Sequence, residues 1–208
     1  NDDLDLKFAH KDAIDMATAL QIGGNRLFGE ENTHTYLLTS PVFKSTPLGE
    51  DLGEAKKVKP DTTILSSKQN IMNTFEAISK KATSSDVIVV YLAGHGMNIG
   101  GNEGDFHYIT QDAYSTNFTD PVIREQTTLS SEEFIELLKK IPALKQVLII
   151  DACHSGRVAE NMMAFRDVES STIRALDRMK DRTGMHIITG SQANAVSYES
   201  NKFGQGLL

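Results

Sequence analysis

Asp86-Val87-Ile88-Val89-Val90-Tyr91-Leu92-Ala93-Gly94-His95-Gly96 is the stretch that decides the fold. Residues 87–92 are β-branched or apolar without alternation, which marks a central parallel strand covered by helices on both faces. A second run of this kind, Gln146-Val147-Leu148-Ile149-Ile150, leads into Asp151-Ala152-Cys153-His154-Ser155-Gly156, and Met185 to Thr189 makes a third. Helical patterns lie between these strands. Ala13, Met16, Ala17 and Leu20 recur at i, i+3, i+4 and i+7, and so should bury one stripe. Ser66 with Gln69 reads as a capping box before Ile71, Phe75, Ile78 and Ala82. Ser130 with Glu133 opens a helix carrying Phe134, Leu137, Leu138 and Ile141, which Pro142 helps to end. Thr35 to Thr39 reads as a short strand and Phe106 to Thr110 as a hairpin arm. Alternating strands and helices predict an α/β fold with a mostly parallel central sheet.

Two stretches read as irregular. Residues 40–63 hold Pro41, Pro47 and Pro60, and residues 157–183 are crowded with charge and read as a surface loop with some helix.

Composition narrows the function classes. The 208 residues suit one domain with one continuous core. A net charge of -7, from 28 acidic and 21 basic residues, repels phosphate backbones, so nucleic acid is not an expected partner. No apolar run approaches the roughly 20 residues of a membrane-spanning helix, and no signal-peptide pattern opens the chain; the expectation is a cytoplasmic protein with no membrane partner. The lone cysteine, Cys153, excludes intrachain disulfides and multi-cysteine metal sites, and no cofactor or metal is expected. Starting at Asn1 and stopping in apolar sequence at Leu208, the chain reads as a piece of a longer protein.

In parallel sheets, functional groups gather beyond the carboxyl ends of the strands. Here two strands deliver reactive residues to that edge: His95 between two glycines, and Cys153 three residues before a third. Were the strands neighbours, about 4.8 Å apart, both side chains would fall in one small site. Gly94 and Gly96 are expected to let the backbone turn at the strand end. The N–H groups of Gly96 and Cys153 could then form an oxyanion hole. A helix starting after Cys153 would favour its thiolate. Taken singly, a buried cysteine is an inert core residue and a lone histidine is structural; their pairing at two strand ends points to nucleophilic catalysis. His10, His34, His107 and His186 show no metal-ligand spacing, and His154, beside the nucleophile, reads as a packing or loop residue.

Tyr91-Leu92-Ala93-Gly94-His95-Gly96 and Asp151-Ala152-Cys153-His154-Ser155-Gly156 resemble the two catalytic signatures of the caspase-like cysteine peptidases, closest to the metacaspase and bacterial orthocaspase branch. Residues 6–13 with Met16 and Leu20 are similar to the segment after that family's first strand, and Ser197-Tyr198-Glu199 with 204–208 to the start of its small-subunit region. The resemblance implies a caspase-like three-layer sandwich without its first strand and last elements: a large-subunit region at about 1–156, an intersubunit loop at about 157–183, and the start of the small-subunit region at about 184–208. It implies His95 as the acid/base residue and Cys153 as the nucleophile. It also implies a specificity pocket built from Asp12 and Asp151, which suits a substrate arginine or lysine before the scissile bond. Self-cleavage within 157–183 and further domains or subunits of a larger assembly belong to the same expectation. There are departures: Ala93 stands where metacaspases often carry serine, Ala9 where they carry cysteine, and the acidic residues near Glu103 and Asp105 are too thin to lead us to expect calcium dependence.

Two other readings compete. A catalytically silent caspase-like interaction module would have no use for both Cys153 and His95. A thioesterase could use that pair but not two pocket carboxylates.

Overall fold

The computed structural model describes residues 6, 9–40, 62–99, 104–153, 168–189, 199–200 and 205–206. In chain order the elements are α1 (Ala9–Phe28), a 3-10 turn (Glu30–Asn32), β1 (Tyr36–Leu38), β2 (Thr62–Ile64), α2 (Lys68–Ser79), β3 (Val87–Ile99), β4 (Asp105–Ile109), α3 (Pro121–Thr127), β5 (Thr128–Ser130), α4 (Ser131–Lys139), β6 (Lys145–Cys153), α5 (Val168–Thr183), β7 (His186–Thr189), β8 (Glu199–Ser200) and β9 (Gln205–Gly206). Five strands form the central sheet in the order β5-β4-β3-β6-β7. Its β3, β6 and β7 are parallel, while β4 and β5 run antiparallel at one side. This is the mixed α/β sheet with a mostly parallel centre that the sequence predicts.

The core fills one face. Leu148 and Ile150 of β6, with Ile88, Val90 and Leu92 of β3 packed against them, meet Ile71 and Phe75 of α2, Phe134, Leu137, Leu138 and Ile141 around α4, and Met179 of α5. Phe75 and Phe134 join α2 to α4 edge-to-face, with ring centroids 5.4 Å apart. The opposite face is barer than an apolar-on-both-sides strand implies, because Val87 and Val89 are each 40% exposed. There α1 packs against β3; its stripe of Ala13, Met16 and Ala17 is half-buried and Leu20 is exposed, so the helix does not bury the stripe its period promises.

Several local readings change. The cap of α2 is Ser67, whose side chain accepts from Asn70 N–H, not Ser66; the Ser66 carbonyl instead accepts from Gln111 N–H. The capping box of α4 is as read, with Ser130 and Glu133 satisfying each other's backbone N–H. Within the irregular residues 40–63, Thr62 and Thr63 belong to β2, which pairs with β1 in parallel. Much of the charged stretch 157–183 is the regular helix α5, whose Met179 is buried and whose Arg178 donates to Gly104 O at 2.9 Å. Residues 154–167 and 190–198 lie outside the described residues. Among the described residues no helix is long and apolar enough to cross a membrane.

Candidate active site

The sequence places His95 at a strand end, yet β3 runs on through Gly94, His95 and Gly96 to Ile99. Neither glycine has a positive φ, so neither makes a turn. What happens at this point is a change of partner. Val87 to His95 pair in parallel with Lys145 to Cys153, and Gly96 to Ile99 pair antiparallel with Tyr108 to Asp105 on the other side of the strand. His95 is the last residue of β3 held by β6.

Gly94 is required for a different reason from the one its sequence suggests. A Cβ built there would lie 2.8 Å from the Tyr108 hydroxyl and 2.9 Å from its ring. The tyrosine crosses under the strand to donate to Ala93 O at 2.9 Å, and burial pushes its phenol up to about 12, so it remains a donor.

The register brings the predicted pair together. His95 and Cys153 are Cα partners across the β3–β6 ladder, and Ala93 and Asp151 are partners two residues earlier. Strand alternation puts positions 91, 93 and 95 on one face with positions 149, 151 and 153. His95 and Asp151 are both buried. Cys153 closes β6; its thiol, together with His154, lies outside the described residues.

Asp12 and Asp151 come from separate elements, the first turn of α1 and the end of β6. They converge on Tyr91. Its hydroxyl donates to Asp151 Oδ2 at 3.3 Å. Burial raises the Tyr91 pKa above the ordinary phenol value, and the charges of Asp151 and then Asp12 raise it further. Gly96 is buried in β3 beside His95. Among the described residues there is no group of three or more metal-ligating side chains. The part of Tyr91 is not legible in the sequence: alternation puts it on the face of His95, but only the β3–β6 register sets it beside Asp151.

Near β4, His107 Nδ1 lies 2.9 Å from Thr128 Oγ1. The Thr128 hydroxyl already donates to Arg124 O at 2.8 Å, so the imidazole carries its proton on Nδ1 and donates it there. Burial, with Arg124 nearby, lowers His107 to about 4, which keeps it neutral and structural.

A model of the caspase domain, a peptidase family, matches residues 2–206. Metacaspase-4 of Arabidopsis thaliana is 27% identical over 90 residues, covering 42% of this chain and 20% of the relative, so the chain spans about a fifth of that protein's length. The solved structure of a structural-genomics protein from Geobacter sulfurreducens is 15% identical with a TM-score of 0.41, covering 67% of this chain and 59% of that one.

Proposed function

The chain belongs to the caspase-domain peptidase family, and from that premise we propose that it is a cysteine endopeptidase cutting after arginine, and less well after lysine. The observation that carries the reading is the register of β3 against β6, in which His95 and Cys153 are partners while Asp151 stands two residues before Cys153 on the same face.

Cys153 attacks as thiolate, its sulfur adding to the scissile carbonyl carbon. The oxygen takes the negative charge and is stabilised by the N–H groups of Gly96 and Cys153. His95 gives its proton to the leaving amine as the C–N bond breaks, leaving an acyl-enzyme. Neutral His95 then takes a proton from water, whose oxygen releases the acid and restores the thiolate and imidazolium. Asp12 and Asp151 hold the substrate's cationic side chain, and their charge rejects acidic ones.

An arginyl fluorogenic peptide tests the assignment with the variants Cys153→Ala and His95→Ala. Both are expected to be inactive or nearly so, with circular dichroism unchanged. Turnover at the wild-type rate in either would remove that residue from the mechanism.

A further inference from the structure

We propose that Tyr91 is a specificity-determining positioning residue, its hydroxyl holding the Asp151 carboxylate in the orientation that favours a guanidinium over an ammonium. The inference rests on the pocket reading given above and adds a residue to it.

Three features of the β3–β6 ladder point to this role. Asp151 lies opposite Ala93, whose methyl group offers its carboxylate no hydrogen bond. Tyr91 is opposite Ile149, two residues back on the same face, and reaches diagonally past Ala93 to donate to Asp151 Oδ2 at 3.3 Å. Its phenol is kept protonated by burial and by the charges of Asp151 and Asp12, so it stays a neutral donor instead of becoming a third negative charge.

Orientation of a carboxylate matters unequally to the two basic side chains. A guanidinium presents a planar fork, and paired N–H···O bonds form only when the carboxylate plane is turned to meet it. An ammonium is a compact point charge with rotating donors, and it accepts many orientations. A tether on one carboxylate oxygen therefore helps arginine more than lysine.

The test measures kcat and KM on two peptides differing only in Arg or Lys before the scissile bond, for the wild type, Tyr91→Phe and Tyr91→Phe/Ala93→Ser. Tyr91→Phe keeps the ring and removes the tether. It is expected to lower kcat/KM for arginine about ten-fold, mainly through KM, the size expected for one hydrogen bond to a charged group. Lysine should fall less than three-fold on the same reasoning, so the arginine preference narrows. Serine at 93, directly opposite Asp151, supplies a hydroxyl again and should restore much of that preference. Each Arg/Lys ratio is taken on a single preparation, so any loss of folded enzyme cancels. A wild type that favours arginine and a Tyr91→Phe enzyme with the same ratio would overturn the inference while leaving the pocket standing, as would equal losses on both peptides. A wild type that cleaves after neither basic residue would overturn the pocket reading and this inference with it.

Discussion

The Tyr108 ring occupies the space that any side chain on residue 94 would need: a Cβ there meets the phenol oxygen at 2.8 Å and ring carbon Cε2 at 2.9 Å. The ring cannot easily retreat, because its hydroxyl donates to Ala93 O at 2.9 Å and the residue packs against the main core. Gly94→Ala should therefore destabilise the protein by about 1–3 kcal/mol, the usual cost of overpacking. Adding Tyr108→Phe removes the closest contact and should recover part of that loss. Urea unfolding curves that superimpose for wild type and Gly94→Ala would show that the strand yields at no cost.

An ion pair between a buried lysine and a half-exposed glutamate gives a prediction about pH. Lys68, at the start of α2, has only 11% of its side chain exposed; it meets Glu133 Oε1 at 2.6 Å and donates to Glu125 O at 2.7 Å. For Glu133, burial raises the pKa, but the Lys68 hydrogen bond, the Ser130 contacts and the Lys68 charge outweigh it, and the net shift is below the ordinary 4.5. A carboxyl whose folded pKa is depressed contributes stability in full above its unfolded pKa, and loses it as pH falls through the folded one. Glu133→Gln should therefore be less stable than wild type at pH 7, where it leaves Lys68 without its anion, and the gap should narrow as pH falls below the ordinary 4.5. Thermal melts at pH 7 and pH 3.5 check this; a gap of the same size at both would contradict it.

How far the sequence could be read depended on whether a feature is local. The capping box of Ser130 and Glu133 is complete within four residues and came out as predicted. At Ser66 and Ser67 two adjacent hydroxyls compete, and a long-range bond from Gln111 N–H to the Ser66 carbonyl accompanies the choice of Ser67. The two apolar runs do not by themselves make β3 and β6 neighbours; in the fold the strands pair in parallel, and their register puts position 95 opposite 153. The continuation of β3 beyond Gly96 was not visible, because Met97, Asn98 and Ile99 are held by β4, a non-local partner. Helix α3 went unread, although Asp120 and Pro121 are a sound cap and first position. Tyr91 could not be assigned a part, since its contact with Asp151 spans 60 residues.

Helix α5 restricts where self-cleavage of this chain is expected. Arg174, Arg178 and Lys180 lie in a regular helix anchored by buried Met179 and by the Arg178 bond to Gly104 O. Cleavage concentrates in exposed, unpaired backbone, and opening this helix would break its packing first. Self-cleavage is therefore not expected after Arg174, Arg178, Lys180 or Arg182, all of which lie within α5. Mass spectrometry of purified wild type beside Cys153→Ala checks it. Fragments ending at Arg174 or Arg178 in wild type would contradict the expectation, and equal fragments in both proteins would implicate another protease.

The central claim, a cysteine peptidase whose paired carboxylates select a basic side chain, is tested most directly by kcat/KM over a fluorogenic panel in which only the residue before the scissile bond varies, with wild type and Asp151→Asn run side by side. Wild type should cleave after arginine fastest, after lysine more slowly, and after aspartate undetectably. Asp151→Asn should lose at least about 100-fold on arginine, as expected for removing one charge from a buried pair. Efficient cleavage after aspartate, or an Asp151→Asn enzyme that cuts after arginine at the wild-type rate, would contradict the account.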